Sequence, residues 1–160
     1  MIEFTRLTRI PLAEVQELLN EPRNARHMPL ADRFDARATS DWVAEKDALW
    51  QMHGYGPWAF LVDGRFAGWG GFQYEEGGAD FALVLRPEFW GRGAQITRES
   101  LDRGFGELGL EEVTIALPET RNAAKVVAKV GFVPDGVATY GESSFQQYRL
   151  TRAAWAAHHP

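Results

Sequence analysis

The chain of 160 residues contains no cysteine. That excludes disulfides, thiolate metal sites and a cysteine nucleophile together, so any covalent intermediate would need another residue. No apolar run reaches the roughly 18 residues of a membrane span, and no segment is patterned like a signal peptide. The expectation is a cytoplasmic protein without membrane attachment. Basic residues are outnumbered, 17 Lys+Arg against 22 Asp+Glu, for a formal net charge of -5. A field of that sign disfavours nucleic acid and favours cationic partners, so an anionic ligand needs a local site. The histidines at 27, 53, 158 and 159 lack ligand spacing, and no metal is expected. Two nucleotide motifs are missing as well: there is no GxxxxGK[ST], and a GxGxxG would need glycine where Ile96 stands.

What remains is an ordinary globular composition, 45% hydrophobic and 24% charged, of a length that fits one domain, residues 1–160, with a core of useful size. Ile2, Phe4 and Leu7 alternate as in an edge strand. Leu12, Val15, Leu18 and Leu19 fall at helical spacing. Residues 25–40 show no clear period and read as loop with a short helix. Thr39 or Ser40 then caps a helix whose face is Trp42, Val43, Leu49 and Trp50, ended by Gly54, Gly56 and Pro57. Residues 58–72 read as a hairpin about the Asp63-Gly64 turn. After a second turn comes the strand 80–85 and a glycine loop. Ile96, Leu101, Phe105 and Leu108 mark one helical face, weakened by Gly104 and Gly106. A strand at 111–118 follows, then a helix with Val126, Val127 and Val130 inward and Gly131 as its C-terminal cap. Residues 145–155 supply a last strand. An early hairpin followed by alternating strands and helices implies a mixed α/β sheet with helices on both faces.

The stretch ALVLRPEFWGRGAQITRESL, residues 82–101, is the informative one. A strand that ends in a glycine-rich turn opening a helix leaves backbone N–H groups unpaired and pointing one way. Glycine can take positive φ there and has no side chain to block approach, so a pyrophosphate can lie against the backbone and the helix start. Arg92 adds a positive charge.

These residues resemble the acetyl-CoA-binding segment of the GCN5-related N-acetyltransferases, and within them the branch that acetylates N-terminal alanine of ribosomal proteins. Asp80 falls on that branch's glutamate, Pro87 to Trp90 on its Pro-Glu-Tyr-Trp, Gly91 and Gly93 on its glycines, and Glu99 near a later glutamate. The order of elements agrees along nearly the whole chain. The resemblance implies a mostly antiparallel sheet with one splayed parallel pair, and acetyl-CoA as co-substrate. The pantetheine arm would pair with the main chain of Leu83, Val84 and Leu85, and the pyrophosphate would rest on Gly91, Arg92, Gly93, Ala94 and Gln95. Gln95 stands where the family has a small residue. Asn122 is a further cofactor contact or a helix cap.

Transfer to an amine requires a neutral nucleophile, so some group must take its proton. With no cysteine, direct attack in a ternary complex is the economical route. Asp80 is the first candidate for the base, working through a water because its side chain is short, with Glu75 and Glu76 on the neighbouring turn. The family's asparagine, tyrosine and serine before its Gly-Phe pair, here Gly131-Phe132, fall on Thr120, Val127 and Ala123, so the acid is sought elsewhere. Tyr140 in a loop is the candidate, with Tyr148, Ser143 and Ser144 behind it. His27 lies where family members position the acceptor. Trp42, Trp50, Trp58 and Trp69 line a cleft or fill the core. The acceptor is a protein N-terminus or a small amine such as an antibiotic or polyamine. A homodimer is left open. A non-catalytic CoA-binding or regulatory module of the same fold is the alternative.

Overall fold

The Asp63-Gly64 dipeptide turns the chain as its sequence requires: φ is 50° and 82° at the two residues, the left-handed pair that a two-residue hairpin needs. It joins β2 (Pro57–Val62) to β3 (Arg65–Glu75). Around this hairpin the computed structural model, which describes residues 1–25, 33–75, 78–118, 123–140 and 143–159, builds a seven-stranded sheet. β1 (Ile2–Thr5) is one edge, and β4 (Gly78–Leu85), β5 (Glu112–Pro118), β7 (Ser143–Thr151) and β6 (Val133–Tyr140) extend it on the other side. The order is β1-β2-β3-β4-β5-β7-β6.

Every pairing is antiparallel except β4 with β5. That parallel pair is brief, Ala79↔Val113 and Asp80↔Thr114. Beyond Asp80 the two strands diverge, β4 continuing along β3 as far as Leu85↔Gly68 and β5 along β7 as far as Pro118↔Phe145. The sheet is therefore split by a V whose apex is Asp80–Thr114.

Each face of the sheet carries its own apolar cluster. On one, α1 (Leu12–Leu19) and α3 (Ala36–His53) cover Ala59, Phe66 and Trp69 with Val15, Leu18, Leu19 and Val43. On the other, α4 (Gly93–Phe105) and α6 (Arg152–His158) set Ile96, Leu101, Phe105 and Trp155 against Phe60, Phe72 and Phe81. α2 (Pro22–Ala25) and α5 (Ala123–Val130) are the remaining α-helices among the described residues. Burying a side chain such as Phe72, fully enclosed, contributes about 1.5–3 kcal/mol. Gly104, which weakens the helical pattern, is explained here: a Cβ on it would lie 2.6 Å from Phe72 Cζ, so α4 approaches the sheet only because that atom is absent.

Three expectations are corrected. α3 begins at Ala36 rather than after Ser40, because the Asp35 carboxylate accepts from the Ala38 N–H at 2.7 Å and caps it; Thr39 sits inside the first turn, its hydroxyl donating to Asp35 O. Residues 152–155 are helix, not strand, since Thr151 caps them through the Ala154 N–H. The supposed loop containing Tyr140 is the end of an edge strand, β6, whose pairing with β7 shifts between Pro134 and Val137 and so blurs the alternation. The Gly54 and Gly131 stops stand as expected, with φ of 79° and 114°.

Candidate active site

The V in the sheet exposes main chain. Strand alternation sends successive peptide groups to opposite sides, and the Arg86 N–H donates to Ala67 O on β3 at 2.7 Å. By that phase Val84 gives its main-chain groups to Trp69 on β3, whereas those of Leu83 and Leu85 face the gap that β5 has left. Val84 therefore departs from the expectation that all three residues offer backbone to a ligand. The Leu85 carbonyl is engaged too: Asn24 Nδ2 donates to it at 3.0 Å and Trp90 Nε1 at 3.1 Å. Open to the groove are the groups of Leu83 and the N–H of Leu85.

The glycine loop follows. Residues Pro87–Arg92 form a 3₁₀ turn, whose i→i+3 bonds use up amides within it, and the Gly93 N–H donates to Trp90 O. The free donors are thus shifted to the first turn of α4, Ala94 and Gln95 foremost, rather than spread from Gly91. Positive φ is not what the glycines supply, contrary to expectation. Gly93 is ordinary helix at φ −57°, ψ −42°, and Gly91 is absent from the positive-φ residues. A Cβ at Gly91 would meet nothing within 4 Å, and one at Gly93 only Leu85 and Leu83 side chains at 3.9 and 4.0 Å. Neither packing nor backbone strain demands glycine there, so what glycine provides is outward clearance.

The helix start is also unclaimed. α3 and α6 are capped by the side chains of Asp35 and Thr151, but α4 has no side-chain cap and no acidic residue in its first turn. An N-terminus left in that state attracts an anion. Gln95 does not obstruct it: its side chain is exposed, and its Oε1 accepts from Arg92 Nη1 at 3.3 Å. Beside the loop a cavity of about 370 Å³ has Arg65 and Arg92 in its wall, together with the carboxylates of Asp63 and Glu88, and Arg65 faces Glu88 at 4.0 Å. Clearance, the first-turn amides and the Arg92 guanidinium, rather than this cavity, are what could hold a pyrophosphate, with the V open to a linear arm.

Asp80 stands at the apex. Half-buried, it accepts from Thr114 Oγ1 at 2.7 Å, and its carboxyl is pushed up from the usual range to about 6. Burial is the main cause; the Thr114 hydrogen bond works against it and the Glu75 carboxylate with it. A carboxylate tuned toward neutrality, one residue before the groove, is suited to accept a proton near physiological pH. Thr114 was not singled out in the sequence. The alternation of residues 112–118 places it on the same face as Asp80, but only the register of β4 on β5 makes them neighbours.

The remaining candidates separate. Glu75 ends β3 and acts on Asp80 through space. Tyr148 is buried in the core, Ser144 is exposed on β7, and Tyr140 and Ser143 are placed only as strand ends paired with one another. Asn122, His27 and Glu76 lie outside the described residues. Trp58 and Trp69 are core, while Trp42 and Trp50 are half-buried at its margin. Among the described residues no group of three or more His, Cys, Asp or Glu is placed to hold a metal. No helix among them is long and apolar enough to cross a membrane.

Residues 3–133 match the family described as acetyltransferase (GNAT) domain. The fold is similar to that of solved acetyltransferases. A spermidine N-acetyltransferase from Vibrio cholerae, in complex with CoA and spermine, superposes with a TM-score of 0.78 at 15% identity, covering 97% of this chain and 98% of that one. An acetyltransferase of the GNAT family from Bacillus anthracis gives 0.75 at 15% identity over 95% of each chain. An acetyltransferase from Agrobacterium tumefaciens gives 0.73 at 19% identity over 93% and 90%.

Proposed function

The chain belongs to the acetyltransferase (GNAT) domain family, and on that premise we propose that it moves an acetyl group from acetyl-CoA to a primary amine by direct attack in a ternary complex, with Asp80 as the base. The observation that carries this reading is the V: a free main-chain edge ends at an uncapped, unobstructed helix start on one side and at a carboxyl tuned to about 6 on the other.

When bound, acetyl-CoA supplies an activated acetyl thioester. Leu83 and the Leu85 N–H hold its arm by main-chain hydrogen bonds, and the first-turn amides of α4 with Arg92 hold its phosphates. Asp80, through a water, takes the proton of the acceptor ammonium. The freed amine forms the new C–N bond as the C–S bond breaks, and solvent protonates the departing thiolate. Thr114 keeps the Asp80 carboxylate oriented and limits its rise.

A base near 6 is matched to an α-amino group, ordinarily at about 7.7–8.0, better than to an alkylamine at about 10.4. That supports a protein N-terminus as acceptor, in keeping with the resemblance to the ribosomal-protein branch. Calorimetric titration with acetyl-CoA, with ATP and NAD as controls, followed by thiol release in the presence of short peptides, is the test. Saturable binding of acetyl-CoA alone and peptide-dependent thiol release are expected. Failure to bind acetyl-CoA would overturn the proposal.

A further inference from the structure

The face that carries Asp80 also carries a half-buried lysine whose place the reaction above does not use. Lys46 projects from α3 one turn after Trp42, and its ammonium lies 5.7 Å from the Trp42 ring centroid and 5.3 Å from that of Trp69. The two indoles meet edge to face at 5.0 Å and 78°. The ammonium donates to Gln73 Oε1. Gln73 is directly opposite Asp80 in the β3–β4 register, so their side chains share a face and are cross-strand neighbours. One carboxylate, Glu75, acts on both groups, favouring the charged form of Lys46 and the neutral form of Asp80. Glu45 adds a second negative charge on the lysine side.

Two aromatic faces, an amide oxygen and nearby carboxylates are what an alkylammonium requires once it leaves water. Here the protein's own side chain fills that place, against a burial cost that drives its pKa down. An acceptor whose amine reaches Asp80 and which carries a second ammonium a few carbons away would meet a cation already fixed there.

We propose that Lys46 is a specificity-determining residue, a tethered ammonium that occupies the second-cation subsite beside Asp80 and directs the enzyme to acceptors with a single positive charge. The inference rests on the acyl-transfer reading above and narrows its substrate class: amines such as a peptide N-terminus without a neighbouring cation, and not polyamines. A purely structural role, with the lysine stem merely covering the tryptophans, makes no such discrimination.

The test compares n-butylamine with 1,4-diaminobutane as acceptors for wild type, Lys46→Met and Lys46→Arg, following thiol release from saturating acetyl-CoA. Near-ultraviolet circular dichroism checks that each is folded, and calorimetry measures binding of the diamine alone. Wild type and Lys46→Arg are expected to favour the monoamine in kcat/KM by about tenfold, the scale of one desolvated cation–aromatic contact. Lys46→Met, which keeps the apolar stem, should bring the ratio within about twofold and acquire saturable diamine binding that wild type lacks. A wild type indifferent to the second charge, or an unchanged ratio in folded Lys46→Met, overturns the proposal. Diamine binding gained by Lys46→Met with no turnover of either amine or of the short peptides above by any of the three proteins would instead overturn the acyl-transfer reading, and the specificity role with it.

Discussion

The two ends of the V put different parts of the chain to use. At its open end, around Leu83–Gln95, the groups that matter are peptide N–H and C=O, and the side chains are notable for being small, turned away or already engaged. At its apex the reverse holds: Asp80, Thr114, Gln73 and Glu75 of the strands and Lys46 of α3 form a set of side chains in which burial moves two of the group, Asp80 and Lys46, off their ordinary pKa values. A main-chain site tolerates nearly any residue that does not intrude, whereas a side-chain site depends on each partner and on the register that brings it there. Substitutions at the two ends should accordingly fail in different ways.

The largest effect is expected from Gly93→Asp. A Cβ fits there without displacing anything closer than 3.9 Å, and an acidic residue in the first turn of a helix stabilises it by about 0.3–1 kcal/mol. Melting temperature should hold or rise while acetyl-CoA affinity falls on the order of a hundredfold, since side chain and like charge both enter the anion's place. Calorimetry beside a thermal melt measures both; unaltered affinity would remove the cradle from this loop.

Next comes Asp80→Asn, expected to lower kcat by roughly 10²-fold, the low end of what a general base contributes, and to leave acetyl-CoA binding within about twofold. Its stability should move the other way. A carboxyl raised to about 6 in the folded state means that the native protein binds this proton more tightly than the unfolded chain does. The associated stability is fully present below about pH 4 and is lost as pH rises through about 6. At pH 7 the wild type carries the burial cost of the charge and the asparagine does not, so the variant should gain on the order of 1 kcal/mol in denaturant unfolding.

A smaller effect, confined to the pH profile, is expected of Thr114→Val. Losing the hydrogen bond that holds Asp80 down raises its pKa further, so the acid limb of kcat/KM should shift to higher pH while activity above the limb stays near wild type. A profile that does not move would reduce Thr114 to a packing residue. Smallest of all is Gln95→Ala: because this side chain already turns outward to Arg92, affinity should change by about twofold or less, as is usual for an exposed substitution.

The same contrast explains what could be read in advance. The open end was legible because main-chain sites leave a one-dimensional trace: an apolar strand, then glycines, then a helix, with spacing that excluded two nucleotide motifs. Even so, the 3₁₀ turn that moves the free amides from Gly91 to the first turn of α4 left no signature in PEFWGR. The hairpin was legible because Asp63-Gly64 is a local device, while the α3 start was misplaced because Asp35, Thr39 and Ser40 all suit an N-cap and only the fold chooses. At the apex Asp80 was visible by its position, but Thr114 and Gln73 become its neighbours through pairings 34 residues apart on one side and through the β3–β4 register on the other. Lys46 had a faint signal, its i,i+4 spacing from Trp42, which acquires meaning only once Trp69 packs against that helix face.

In the proposed reaction the Asp80 carboxyl at the apex takes the proton of the acceptor amine, and the most direct measurement of that is kcat/KM for acetylation of a short peptide from pH 5 to 8 in wild type and Asp80→Asn. Titration of the peptide's own amine contributes equally to both profiles. The wild type should show an additional acid limb centred near pH 6, in line with the raised Asp80 carboxyl, and the variant should lack it. The same limb in both proteins would mean that the proton goes elsewhere and that Asp80 is not the base.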